Sequence, residues 1–350
     1  LEMAFAGQED VFAVLEQVLP PVFEKYGIYT QASKPPFKRI PYLEAMDRYG
    51  SDKPDLRISL ELRDMSAFAD CGFEPFGGKT VKAVVCPAFS QSRKIIDKLC
   101  SDVEVQTGRK CYWFKLGDDG ALAGGIAKFL QERRDEVVQA LDLKPGSLVL
   151  CAAGTLSEAQ KTAGAALKTA AVYEPAYIDK ERYEFCWIVD FPMYEIGEES
   201  GEIEFCHNPF SMPQGGLEAI KTRDPLDILA WQYDLVCNGV ELSSGAVRNH
   251  DPEIMIAAFE VCGLSEEDVK AKFPAMYNAF TYGAPPHAGI APGVDRMVML
   301  IAGEDSIREV IPFPMNKNAM DIMMGAPSEV DPKQLEDVHI RVVMPPESEK

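Results

Sequence analysis

The chain has 350 residues, with 55 acidic against 35 basic side chains and a formal charge of −20. At 47% hydrophobic and 26% charged it has the composition of a folded protein, not of a disordered one. No apolar run approaches the ~20 residues that cross a bilayer, so a membrane-spanning reading is excluded, and the charge argues against nonspecific polyanion binding.

The predicted elements follow in chain order. Residues 1–5 read as the end of a strand. Gln8-Glu9-Asp10 then opens a periodic apolar segment, Val11-Phe12, Val14-Leu15, Val18-Leu19 and Val22-Phe23, with acids in its first turn. This predicts a helix that Pro20-Pro21 should kink or divide. A second helix is predicted through 42–46, ending before Gly50, and Ser51-Asp52-Lys53-Pro54-Asp55 reads as a turn. From about residue 65 the texture changes to β-like runs at 81–85, 111–115 and 147–152, alternating with helix-like runs at 92–99, 125–138 and 158–171. Between 67 and 178 the chain holds 13 acids and 14 bases, so the flanks carry the whole negative excess. These changes predict a separate α+β domain at 67–178, inserted into a host made of 1–66 and 179–326, with 327–350 as a C-terminal extension. The apolar run 185–191 resumes the host as a strand, and Glu195, Glu198, Glu199, Glu202 and Glu204 mark an acidic hairpin tip. Helices are predicted at 252–262 and 265–280, then a Gly/Pro-rich bend, a strand, a helix at 293–302 and an extended tail.

The cysteines, Cys71, Cys86, Cys100, Cys111, Cys151, Cys186, Cys206, Cys237 and Cys262, are odd in number, scattered and without a C-x-x-C pair. They read as buried thiols in a reducing compartment, not as a disulfide scaffold or a zinc site. The N-terminus has no basic segment followed by an apolar one, which predicts a cytoplasmic protein. It also does not begin with methionine, and the chain reads as part of a longer one.

Two constellations could carry chemistry. In Trp231 to Arg248, Asn238-Gly239 lies between two β-compatible runs and predicts a type I′ hairpin. Register then sets Cys237 opposite Val240, Val236 opposite Glu241 and Asp234 opposite Ser243. Asp234 and Glu241 share a face as a diagonal pair roughly 7 to 8 Å apart. Two carboxylates so placed suit Mg²⁺ that keeps water and meets phosphates, although a solvated hairpin with a surface ion pair has the same spacing. Arg248 has the opposite parity and joins that face only if Ser244-Gly245 forms a bulge. The second constellation is His287-Ala288-Gly289-Ile290-Ala291-Pro292-Gly293-Val294-Asp295-Arg296. Small residues there let a flat ring approach the backbone, and Arg296 in the first helical turn can pair with phosphate. An ordinary strand-to-helix turn would look the same. Cys206-His207-Asn208-Pro209-Phe210 could equally be a loop with a satisfied histidine.

Together these segments resemble the catalytic core of the class II aminoacyl-tRNA synthetases, and within them the bacterial-type aspartyl-tRNA synthetases. Further words of the likeness are Tyr49-Gly50-Ser51-Asp52-Lys53-Pro54-Asp55-Leu56-Arg57, Asp190-Phe191-Pro192-Met193 and Ile311-Pro312-Phe313-Pro314-Met315-Asn316-Lys317. The resemblance covers about residues 1–326, and the insertion looks like the family's GAD domain.

The resemblance implies an α+β fold, an antiparallel sheet flanked by helices, with L-aspartate, ATP, Mg²⁺ and tRNA(Asp) as substrates and partners and tRNA(Asn) left open. It implies a homodimer for the full-length protein. Arg296 would bind the γ-phosphate, with Gly289 and Gly293 shaping an adenine shelf beside Asp295. Asp234 and Glu241 would hold Mg²⁺, and Arg248 would grip the aspartate side chain. His207 and Asn208 match a loop closing on the adenylate, where many relatives have two histidines. The family's second motif, whose arginine binds the α-phosphate, would lie upstream of Leu1, so weak activity is expected of this chain alone. An asparagine synthetase of the same fold and a non-catalytic tRNA- or partner-binding fragment are the competing readings. The insertion counts against the first, and the joint presence of Asp234, Glu241, Arg248 and Arg296 against the second.

Overall fold

The computed structural model describes residues 1–197 and 199–344; Glu198 of the acidic tip and residues 345–350 of the terminal segment lie outside the described residues. Its centre is a six-stranded sheet in the order Glu2–Ala4, His287–Pro292, Val240–Val247, Leu229–Cys237, Phe185–Pro192, Lys38–Pro41. All neighbours are antiparallel except Lys38–Pro41, which runs parallel to Phe185–Pro192. Residues alternate between faces along each strand, so the sheet has two different surfaces.

One surface is sealed by the helix Gln8–Tyr26 and by Val294–Ala302. Val11, Phe12, Leu15, Leu19 and Phe23 pack there against Phe185, Trp187, Tyr233 and Leu235, and Phe12 stacks on Trp187 at 3.8 Å between ring centroids. Glu16 is buried in this layer because one oxygen, Oε1, accepts from the Phe37 amide, the Trp187 indole and the Arg39 guanidinium. An unpaired carboxylate could not stay charged there. Pro20 and Pro21 do not divide the helix as expected. Each removes an N–H donor, but Leu19, Pro20 and Phe23 are buried on the sheet, and that packing outweighs the lost backbone bonds.

The other surface is covered in part, by the helix Tyr42–Tyr49 at one edge and, around Ala230 and Gln232, by the segment 206–214 and the helix Pro252–Val261. The helix Tyr42–Tyr49 lays Ala45 and Tyr49 over Ile40, Cys186, Ile188 and Val236 and ends on Gly50, left-handed at φ 62°. On this surface of the hairpin Ser244 is exposed and Glu241 half-buried, whereas Asp234, Gln232 and Ala246 are buried.

A second sheet has the order Leu62–Asp64, Thr80–Cys86, Leu148–Gly154, Tyr112–Leu116, Leu122–Ala123. Helices Arg93–Thr107 and Leu156–Tyr173 pack on one face, and Ile126, Leu130 and Val137 on the other. Its first strand comes from before residue 67, and Ile58 bridges Ile178 where the two passages of chain meet. Tyr194–Ile196 pairs with Ile203–Phe205 as the expected acidic hairpin, with Glu195 opposite Glu204. The segment expected as one helix at 265–280 is two, Glu266–Lys272 and Pro274–Thr281, because Pro274 restarts the chain as a first-turn residue. Among the described residues no helix is long and apolar enough to cross a membrane, and all nine cysteines are free.

Candidate active site

Asn238 and Gly239 form the hairpin turn with φ 52° and 80°, the doubly positive conformation that the Asn-Gly pair favours. Cys237 then opposes Val240 and Val236 opposes Glu241, as expected. Beyond them the ladder slips by one residue, so Leu235 faces Ser243 and Asp234 faces Ser244, not Ser243. Leu242 is the extra residue, and it packs with Leu235 and Cys237 on the helix-covered surface. The bulge falls at Leu242 and not at Ser244-Gly245; burial of that leucine side chain selects the position. Its consequence is a change of parity. Glu241, Ser244 and Ala246 all lie with Asp234 on the surface away from Gln8–Tyr26, and Arg248 follows in the same phase.

Asp234 is nearly buried, and its Oδ1 has no hydrogen-bond partner. Burial raises its carboxyl pKa to about 7; a hydrogen bond from Ser244 opposes the shift and the charge of Glu241 adds to it. A buried carboxylate oxygen without a donor is a ready ligand for a cation. Among the described residues no cluster of three or more Cys, His, Asp or Glu side chains could hold a metal ion. A cation held by the Asp234–Glu241 pair would therefore complete its shell with water or phosphate oxygens, which suits Mg²⁺.

Glu241 lies between two cations. Arg296 Nη1 donates to the Glu241 backbone carbonyl at 2.7 Å and approaches Oε1 at 3.6 Å, while Lys53 Nζ is 3.3 Å from Oε2. Arg296 is in the first turn of Val294–Ala302, and the Gly293 amide donates to Leu242 O at 2.8 Å, which ties that turn to the hairpin. Asp295 is exposed beside it.

Arg248 pairs with Glu2 through Nε to Oε1 at 3.0 Å and Nη2 to Oε2 at 3.3 Å, a two-pronged grip on a carboxylate. Glu2 lies opposite Gly289, where a Cβ would come within 1.9 Å of the Glu2 carboxylate. The glycine thus leaves room for Glu2 to reach Arg248.

His207 packs edge-on against Phe191 at 5.0 Å and lies in the field of Asp52, Glu195, Lys53 and Glu241. Partial burial moves its pKa below the usual histidine range; the three acids pull the other way, and Lys53 adds to the lowering. Asn208 uses its side chain within the loop: Oδ1 accepts from the Phe210 backbone amide at 2.9 Å, while the Asn208 backbone N–H donates to Gln232 Oε1 at 3.4 Å. It shapes the loop that presents His207.

Asp234, Glu241, Arg296 and His207 thus meet in one neighbourhood, with Arg248 and Gly289 further along the same surface. From sequence, Asp52 and Lys53 were a turn and part of one motif of the family likeness, with no chemical role assigned, although a charged pair in a fixed turn was a signal to follow. Tyr42, its hydroxyl pKa pushed up to about 12 chiefly by burial, and Gln232 border the same neighbourhood, Tyr42 edge-on to His207 and Gln232 accepting from the Asn208 backbone; neither stood out in the sequence.

The family model of the class II tRNA synthetases (D, K and N) matches residues 1–317. An aspartate–tRNA ligase of Streptomyces coelicolor is 52% identical over 349 residues, which are 99% of this chain and 59% of that protein. An aspartate–tRNA(Asp/Asn) ligase of Acidiphilium cryptum is 49% identical over 357 residues, covering all of this chain and 60% of its own length. The chain therefore spans about three-fifths of the curated relatives it matches. With a match across both strands of the hairpin, the strand His287–Pro292 and the helix bearing Arg296, the chain belongs to the class II tRNA synthetase family for D, K and N.

Proposed function

We propose that this chain carries the adenylate-forming site of an aspartate–tRNA ligase, which joins L-aspartate to ATP as aspartyl-adenylate and passes the acyl group to the 3′ end of tRNA(Asp). The observation that carries the reading is Glu241, held between Lys53 and Arg296 on the same surface as Asp234 with its unpartnered oxygen. Asp234 and Glu241 would hold Mg²⁺, which when bound neutralises phosphate charge. Arg296 meets the γ-phosphate, and Gly289, Gly293 and Asp295 border the nucleotide. Arg248 receives the side-chain carboxylate of aspartate, the kind of group it already grips in Glu2. His207 closes over the adenylate on the loop that Asn208 shapes.

The reaction needs no protein nucleophile. The α-carboxylate of aspartate attacks the α-phosphorus and pyrophosphate leaves, so the protein contributes positioning and charge. A site built around Arg248 disfavours asparagine, whose amide leaves the guanidinium without a charged partner. The domain reading proposed with it is a GAD-like insertion at 67–178 in a host of 1–66 and 179–326, followed by 327–350, with the second sheet drawing its edge strand Leu62–Asp64 from just before the insertion. A cytoplasmic homodimer is the expected assembly, and tRNA(Asn) is a second acceptor to assay, given the Asp/Asn name of one relative. The test is aspartate-dependent ATP/pyrophosphate exchange by a chain of the relatives' length. Exchange with aspartate and not asparagine supports the proposal, and its absence refutes it.

A further inference from the structure

The turn that carries Lys53 is held from two sides. Gly50 begins it, and a Cβ there would stand 2.1 Å from Gln160 O and 2.8 Å from Gly164 Cα, both on the helix Leu156–Tyr173. A Cβ on Gly164 would reach the Tyr49 and Gly50 carbonyls at 2.7 Å. Backbone therefore lies directly on backbone, the closest approach two segments can make. On the same helix Lys168 donates from Nζ to the Lys53 carbonyl at 3.3 Å. On the other side the turn leans on the hairpin, where a Cβ on Gly239 would be 3.3 Å from Asp55 Cβ. The helix of the second sheet and the hairpin of the first thus clamp one short turn.

The side chain this turn presents is a cation between acids. Lys53 Nζ lies 2.8 Å from Asp52 Oδ2 and 3.3 Å from Glu241 Oε2, opposite the oxygen that Arg296 approaches. Asp52, Asp234 and Glu241 would by themselves repel a polyphosphate. Lys53 offsets that charge, and because Asp52 also holds it, it can exchange Glu241 for a phosphate oxygen without leaving its place.

We propose that Lys53 is a second basic side chain for the terminal phosphates, acting with Arg296 on the pyrophosphate end of ATP, and that Lys168 is a positioning residue through which the inserted segment's helix sets it. This rests on the adenylate-forming reading and adds a binding residue and a task for the insertion. Lys53 binds the nucleotide through its leaving group, so its effect separates phosphate from adenosine recognition.

The test is calorimetric titration of a chain of the relatives' length with MgATP, magnesium pyrophosphate and adenosine. Lys53→Met should weaken MgATP and pyrophosphate at least about tenfold, the scale of a lost charge-assisted contact, while adenosine changes less than about twofold. Lys53→Arg should recover most of the loss. Lys168→Met should show the same pattern at smaller size, with the melting temperature recorded for each variant. Unchanged pyrophosphate affinity in Lys53→Met, or equal losses for adenosine and pyrophosphate, would overturn the role of Lys53. A Lys168→Met chain that binds like wild type would overturn the clamp. Wild-type chain that binds neither MgATP nor pyrophosphate would refute the adenylate-site reading itself, whereas binding that ignores Lys53 would leave that reading standing.

Discussion

Asp234 faces Ser244 across the hairpin because Leu242 is bulged out of the ladder, and that one-residue slip turns Arg248 toward the same surface as Glu241. In a regular ladder Arg248 would point into the helix-covered layer, where an unpaired guanidinium has no place.

Asp234 makes stability depend on pH. Its folded pKa, near 7, lies above its unfolded value near 3.9, so the folded state binds the proton more tightly. The contribution is present below about pH 4 and is lost as pH rises toward 7. Asp234→Asn should remove this dependence and raise stability at pH 8 by up to about 4 kcal/mol, roughly three pKa units at about 1.36 kcal/mol each. Denaturant titrations at pH 4, 6 and 8 check it, and parallel pH profiles for the two proteins would contradict it. Mg²⁺ should bind wild type more tightly as pH rises through 7.

Arg248→Lys should weaken aspartate binding more than tenfold while MgATP affinity stays the same. A lysine keeps the charge but cannot place two donors on one carboxylate. Paired calorimetric titrations with the two ligands decide it; equal losses would mean that Arg248 acts on the whole site.

Arg296→Ala should abolish aspartate-dependent exchange in a chain of the relatives' length yet shift stability by less than about 1 kcal/mol. Its contact with Glu241 is open to solvent, and such pairs contribute little to folding. Exchange rates and melting curves on one preparation test both halves, and retained exchange would move the phosphate site elsewhere.

Gly50→Ala should destabilise the protein by about 3 kcal/mol or more. The added methyl meets the Gln160 carbonyl at 2.1 Å, and the residue already sits at φ 62°, where a side chain is strained. A change below about 1 kcal/mol in denaturant titration would show that the turn can leave the helix.

The sequence by itself determined the local parts: the Asn238-Gly239 turn, the shared face of Val236 and Glu241, the helix cap at Gly50, and the motif words that mark the family. These depend on residues a few positions apart and on backbone preferences that act over one turn or one strand. Tertiary structure alone decided where the ladder slips, because Leu242 is drawn out of register by a layer built from Gln8–Tyr26 and two other strands. It also decided that Lys53 meets Glu241 and that the inserted helix supports the turn between them. Asp234 titrates near 7 for the same reason. Burial and charge at a point in space are summed over neighbours from every part of the chain, and no local period in the sequence records that sum.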